Sequence, residues 1–323
     1  MKIIHVGLGN FGLWWLEVIM KRKDIEVIAV VDFSEETHKL VDKYNVSCYK
    51  SLSDALAAVP KPDFIVNSTP PYAHLSVNRE AFSKNIPVLM EKPISEDYAD
   101  VLECLDFAKD GQKLMVAESY RYQLACMFVK EQLEKRLQNI TGINLVFSRR
   151  HHVENQNYHA KMRQPMLIDI GVHHFDLLRF FTGKEVRQVY AKLSKPDWSW
   201  YNGISNVKMV AELDDGLLFS YDGSMDSHFC TCWYGHWTFT AENGLCKFIE
   251  NRLHFYVEDE HEEIEVPEED ETNDKHRMLD EFMAYVSDGK VPQTEIIDQV
   301  KNAAIIEAAI TSSKSGSAET VSY

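Results

Sequence analysis

The first 120 residues alternate between two hydrophobic periods. Short apolar runs occur at "KIIHV" (2–6), "EVIAVVD" (26–32), "PDFIVNS" (62–68), "IPVLME" (86–91) and "QKLMVAES" (112–119). Between them lie stretches of helical period, one from about Asn10 and another at "SEETHKLVDKY". Runs that are apolar on both faces suit parallel strands buried under helices on both sides. The pattern predicts a doubly wound α/β domain over residues 1–120.

After Tyr122 the rhythm changes. A helix is predicted from about Gln123 to Leu137, followed by "GINLVFSRRHH". A second, mostly apolar helix, "MLIDIGVHHFDLLRFFTG", ends at Gly183. Strand-like runs then follow in succession: "EVRQVYAKL", "NVKMVAEL", "GLLFSYDGSM", "GHWTFTAE", "LCKFIEN" and "RLHFYVED", with "DDG" and "ENG" as turn signals. Two closing helices are predicted near His276–Ser287 and Glu295–Ser313. Residues 121–323 therefore read as an α+β domain with a mainly antiparallel sheet. One open face of that sheet needs cover, and "WYGHWTF" places large aromatics on a strand of the sheet, so a homodimer or homotetramer is expected.

Composition narrows the function. At 323 residues, two domains are the natural prior. A net charge of −16 leaves no basic stripe for a nucleic-acid partner. Acid concentrates in "VEDEHEEIEVPEEDETND" (257–274), which reads as a solvated edge strand and an exposed loop. No run of eighteen apolar residues exists, so no membrane span is expected. The start, with glycines in mid-run and no small-residue cleavage site, does not read as a signal peptide. Six scattered cysteines form no CxxC pair. Cys230 and Cys232 alternate on an expected strand and could be mistaken for ligands, but reduced thiols in a cytoplasmic protein fit better.

The first candidate chemistry is "VGLGNFG". Gly7, Gly9 and Gly12 have G-x-G-x-x-G spacing, follow an apolar strand and open a helix. The first glycine permits the tight turn. The second lets backbone approach a pyrophosphate, and the third lets helix and strand pack closely. Asp32 ends the second strand, twenty positions after Gly12 (32 minus 12). A carboxylate there accepts from a ribose diol and repels a 2′-phosphate, so NAD is expected rather than NADP. The fold expected is a Rossmann-type doubly wound sheet followed by the α+β domain.

Ligands of open α/β sheets sit beyond the carboxyl ends of strands. "NSTPPYAH" (67–74) and "MEKP" (90–93) both lie at such ends, which places Lys92 where a nicotinamide would lie. In the stretch 166–183, Asp169, His173 and Asp176 are spaced i, i+4, i+7 and should share one helix face. A carboxylate one turn before a histidine can hold the ring and favour its charged form. A satisfied core histidine is the plain alternative. A metal site is another, although no third ligand has suitable spacing: His151 and His152 are adjacent and, on a strand, would point apart. His174 lies about 100° around the helix from His173 and reads as structural.

"GLGNFG", "STPPYAH", "EKP" and "DIGVHHFD", in this order, resemble the glucose–fructose oxidoreductase/inositol dehydrogenase (Gfo/Idh/MocA) family, and the likeness runs to the closing helices. The resemblance implies proton transfer by Lys92 and His173, with Asp169 orienting. Its motifs put Gly7, Gly9, Asn10, Phe11, Gly12, Asp32, Phe33, Ser68, Thr69, Pro70, His74, Glu91 and Lys92 on the cofactor. Two segments depart from the family: "RQPMLID" replaces a glycine run, and "ESYRY" stands where the family has "NYRF". Both belong to the substrate side, so the resemblance does not set the substrate. A sugar, cyclitol or related polyol fits the polar groups Tyr120, Arg121, His151 and Tyr158. A redox-neutral glycoside hydrolase using bound NAD, and a non-catalytic dinucleotide sensor, remain the rival readings.

Overall fold

The computed structural model describes residues 1–154 and 158–323. The chain divides into two units. One comprises Met1–Ser119 with Glu271–Val300, the other Tyr120–Asp270 with Lys301–Tyr323.

The first unit holds six strands: β1 (Lys2–Val6), β2 (Glu26–Val31), β3 (Cys48–Tyr49), β4 (Phe64–Asn67), β5 (Val88–Glu91) and β6 (Leu114–Ala117). All pair in parallel, in the order β3-β2-β1-β4-β5-β6. This is the 3-2-1-4-5-6 order of a doubly wound dinucleotide fold. The apolar runs become strands because both faces are covered: Ile3, Ile4, Ile65, Leu89 and Met115 are all fully buried. The connecting helices are α1 (Asn10–Met20), α2 (Glu35–His38), α3 (Leu52–Ala58), α4 (Pro71–Ser83) and α5 (Tyr98–Lys109). Only Glu35–His38 of "SEETHKLVDKY" forms an α-helix. There the Thr37 hydroxyl turns back to donate to Asp32 Oδ1 and the Ser34 carbonyl.

The second unit carries α6 (Leu124–Arg136), β7 (Ile140–Ser148), α7 (Tyr158–Lys161), a π-helical turn at Met166–Gly171, and α8 (Val172–Thr182). Seven long or middle-length strands follow: β8 (Val186–Ser194), β9 (Asn206–Leu213), β10 (Leu218–Ser224), β11 (His236–Ala241), β12 (Gly244–Ile249), β13 (Arg252–Val257) and β14 (Glu260–Glu265). The helices α9 (Asn273–Asp288) and α10 (Ile296–Ser315) and the short β15 (Glu319–Thr320) close the chain. The sheet order is β14-β13-β12-β11-β7-β10-β9-β8-β15. It is antiparallel except where β7 pairs with β10 in parallel. Leu145, Phe147, Phe219, Tyr221, Trp237 and Phe239 form its buried face.

Three expectations need correction. A single break near residue 120 omits the return of Glu271–Val300 to the first unit. The return is built by packing: Phe282 of α9 meets Phe64 edge-on at 5.2 Å, and Val116 N–H donates to the Thr294 carbonyl at 3.0 Å. Of "WYGHWTF" only residues 236–239 lie on a strand, β11, and Trp233 stands in the loop before it. Strand alternation turns Trp237 and Phe239 inward, where Phe181 of α8 meets both. The acidic segment is an exposed edge strand, as expected, but the loop after it is anchored: Val266 and Asp274 are buried, and Glu269 Oε1 accepts Leu124 N–H at 2.6 Å.

Candidate active site

In the first unit, β1 delivers the glycine turn. Gly7 has φ +97°, and a Cβ there would lie 2.7 Å from the Ser68 backbone. A Cβ on Gly12 would lie 2.2 Å from the Gly7 carbonyl oxygen, so helix α1 can sit this close only without a side chain. By contrast nothing lies within 4 Å of the Cβ position of Gly9, the N-cap of α1, so backbone there is open to an incoming pyrophosphate. Asn10 and Phe11 are exposed at the same end.

Asp32 is held by three donors. Leu8 N–H reaches Oδ2 at 2.7 Å, while Ser34 N–H and the Thr37 hydroxyl each reach Oδ1 at 2.9 Å. Its carboxylate is thus fixed at the strand end where a ribose diol is read. Phe33 beside it is 78% exposed. This turn, this open backbone and this carboxylate fit a dinucleotide.

Two residues expected on the cofactor have side chains that act as braces. The Ser68 hydroxyl is turned inward, donating toward the Val6 and Gly7 carbonyls, with the buried His5 ring 3.1 Å away. His74 is fully buried. Its Nε2 lies 2.7 Å from the Thr69 carbonyl, and its Nδ1 lies 3.0 Å and 3.2 Å from those of Pro93 and Ile94. It ties the loop before α4 to the loop after β5, which carries Lys92. Burial lowers the His74 ring to about 4, although those carbonyls favour a proton. Thr69 and Pro70 remain half-buried on the loop that His74 braces.

Lys92 follows β5 and is half-buried. Its N–H donates to Glu91 Oε2 at 3.0 Å, and Glu91 Oε1 takes Trp15 Nε1–H at 2.5 Å. Burial pushes the Glu91 carboxyl up, opposed by those donors and by the Lys92 and Lys275 charges. Glu91 is therefore a clamp for the Lys92 loop.

In the second unit, the π turn carries Asp169 and α8 begins at Val172, so the expected stripe is broken. Asp169 and His173 keep 8% and 7% exposure, whereas Asp176 is fully buried. The extra residue of a π turn changes the phase at which side chains leave the axis, and such turns recur at functional sites. Asp176 accepts from Arg121 Nε and a second guanidinium nitrogen at 2.7 Å each, and from Asn302 at 2.9 Å. Arg121, expected on the substrate side, thus takes part in a buried ion pair. His174 is buried too, with Nδ1 2.6 Å from the Tyr221 hydroxyl and Nε2 3.1 Å from the Trp233 carbonyl. Burial lowers it to about 3.

Around Asp169 and His173 the remaining groups converge. Tyr120 stacks on the His173 ring at 4.3 Å and 12°. His159, which sequence reasoning missed, places Nε2 3.7 Å from Asp169 Oδ2 and packs on Tyr158 at 3.9 Å. Its only signal in the sequence was adjacency to Tyr158. His151 and His152 lie beyond the end of β7, not on it. The His151 ring meets Trp233 at 5.6 Å, and burial lowers its pKa while Asp169 opposes that. Among the described residues, no group of three or more His, Cys, Asp or Glu could hold a metal. The six cysteines are free, and Cys230 and Cys232 lie in a loop.

Comparison with known proteins matches residues 1–119 to the family model described as "Oxidoreductase family, NAD-binding Rossmann fold". Residues 130–244 match "GFO/IDH/MocA C-terminal domain". An uncharacterized protein of Sinorhizobium fredii is 26% identical over 69% of this chain and 65% of its own length. An inositol 2-dehydrogenase of Renibacterium salmoninarum is 27% identical over 58% of this chain and 57% of its own. The chain thus spans about three fifths of the length of these curated relatives. Among solved structures, an oxidoreductase from Agrobacterium radiobacter in complex with NAD+, L-tartaric acid and magnesium has a TM-score of 0.90 at 19% identity, covering 99% of this chain and 98% of its own. A putative myo-inositol dehydrogenase from Sinorhizobium meliloti has a TM-score of 0.81 at 18% identity, covering both chains fully. With residues 1–119 and 130–244 matched by models of one family, the chain belongs to the Gfo/Idh/MocA oxidoreductase family, whose first domain is an NAD-binding Rossmann fold.

Proposed function

We propose that this protein is an NAD-dependent dehydrogenase that acts on a secondary hydroxyl of a sugar, cyclitol or related polyol. Oxidising such a hydroxyl removes a hydride from carbon and a proton from oxygen. Bound NAD would supply the hydride acceptor. The chain's own residues must bind the dinucleotide, hold the alcohol and take its proton.

The observation that carries the reading is the His173 ring stacked on Tyr120, beside the paired carboxylate and imidazole of Asp169 and His159. A proton acceptor needs a fixed position within hydrogen-bond reach of the hydroxyl, and stacking on Tyr120 fixes the His173 ring. In this reading His173 and Lys92 move the proton and polarise the carbonyl, and Asp169 orients. A dinucleotide sensor has no use for such groups. The inositol 2-dehydrogenases among the relatives support the substrate class. The reading is tested by assaying the protein with NAD against a panel of sugars, cyclitols and sugar acids. Accumulation of NADH with a panel member is expected; hydrolysis of a glycoside without NADH would replace it with the redox-neutral reaction.

A further inference from the structure

Arg149 lies just past β7 and is half-buried. Its guanidinium stacks 4.4 Å from the centre of the Trp233 ring, and its Nη1 donates to the Thr231 carbonyl at 2.8 Å. Among the described residues, it faces no carboxylate. Arginines elsewhere in this acidic chain do, Arg121, Arg179 and Arg252 among them. A guanidinium has five N–H donors, and this one spends a single hydrogen bond on protein. Trp233 backs the guanidinium, whose remaining donors suit a planar, bidentate anion.

The position relates Arg149 to the proton machinery. The His151 ring packs on the same Trp233, within electrostatic reach of both Arg149 and Asp169. The neighbouring Tyr234 meets Tyr120 at 5.2 Å, and Tyr120 stacks on His173. One end of this strip is cationic; the other holds Asp169 and His173. A carboxylate would be repelled at the Asp169 end and held at the Arg149 end, leaving its hydroxyl-bearing carbons over the aromatic floor.

We infer that Arg149 is a specificity-determining residue that selects anionic polyols, hydroxy acids such as sugar acids, by gripping their carboxylate. The inference rests on the proposed dehydrogenase reading and narrows its substrate class. A net charge of −16 repels anions at long range, so selection for one must be made by a local, aimed cation.

The test uses the full chain with NAD present. D-Gluconate, D-galactonate and L-tartrate are titrated by calorimetry, each against its uncharged counterpart, D-glucitol, galactitol or threitol, and NADH is followed in parallel. At least one acid is expected to bind roughly 10- to 100-fold tighter than its neutral counterpart, the range of a charge-assisted pair. Arg149→Met should abolish that margin and leave the neutral polyol's binding within about 2-fold, because no charge is at stake there. Arg149→Lys should restore part of it, and NAD affinity should stay unchanged in both. If no acid outbinds its counterpart, or if Arg149→Met weakens acid and polyol alike, the inference is overturned. Selective acid binding without NADH would keep the anion site and remove the proposed reaction, so the two failures are distinguishable.

Discussion

At the residue scale, a positioned proton carrier and a fixed carboxylate make separable predictions. Loss of a placed proton-transfer group typically lowers rate by about 10²- to 10⁴-fold. His173→Ala and Lys92→Met should each do so in single-turnover NAD reduction, with cofactor titration nearly unchanged, because the glycine turn and Asp32 lie elsewhere in the chain. Asp169→Asn should be milder if it only orients. An intact rate per folded molecule in His173→Ala would make His173 a packing residue. Asp32→Ala should weaken NAD and shrink its advantage over NADP. Three protein donors already converge on that carboxylate, so its loss also releases the loop that follows β2. Calorimetry with both cofactors checks this, and equal affinities in the parent chain would contradict the assigned role.

At the scale of elements, the π turn separates chemistry from scaffold. Asp169 and His173 keep a sliver of exposure, 8% and 7%, while Asp176 keeps none and pairs with Arg121. Breaking such a pair costs up to about 3–5 kcal/mol, and here Arg179, 3.9 Å from Asp176, and Asn302 offset part of it. Arg121→Met is therefore expected to lower the melting temperature sharply while leaving the rate per folded molecule near that of the parent; a melt within a degree would contradict the burial argument. The sequence carried the helix, its end at Gly183 (φ +66°) and the candidate pair within it, because helical period and a left-handed cap are local signals. It did not carry the π turn, since that depends on how "RQPMLID" packs under the sheet. Nor did it show that Ser68 and His74 point inward, because a loop's sequence does not say which carbonyls surround it. His159 was missed for the same reason: its meeting with Asp169 spans ten positions and a change of element. The parallel strands were legible because their apolar runs answer to two covered faces.

At the scale of the whole molecule, three buried histidines set a pH dependence. Burial lowers His5 and His74 to about 4 and His174 to about 3, from an ordinary 6.5. Folded, these rings are neutral, whereas the unfolded chain protonates them below pH 6.5. The unfolded state then binds more protons, so their stabilisation is complete above pH 6.5 and falls as pH drops toward 4. Each ring contributes at most about 1.4 kcal/mol per pH unit in that window. Denaturant titrations between pH 7.5 and 5 should show this loss, and a flat profile would contradict it. Outside the fold's cores, Val146, Tyr190, Val210 and Leu218 lie on the open face of the nine-stranded sheet with 40–53% exposure. We expect this face to join copies of the chain into a dimer or tetramer. Light scattering should find the oligomer at micromolar concentration, and Val210→Lys with Leu218→Lys should shift it toward monomer; a parent chain that is already monomeric would refute the assignment. The central claim, that glycine turn, Asp32, Lys92 and His173 together oxidise a polyol, meets its most direct test in stopped-flow absorbance with NAD and a saturating panel member. The account predicts NADH formed in step with oxidised product, at a rate reduced at least about 100-fold in His173→Ala. Product released with no NADH, or NADH formed equally fast by His173→Ala, would contradict it.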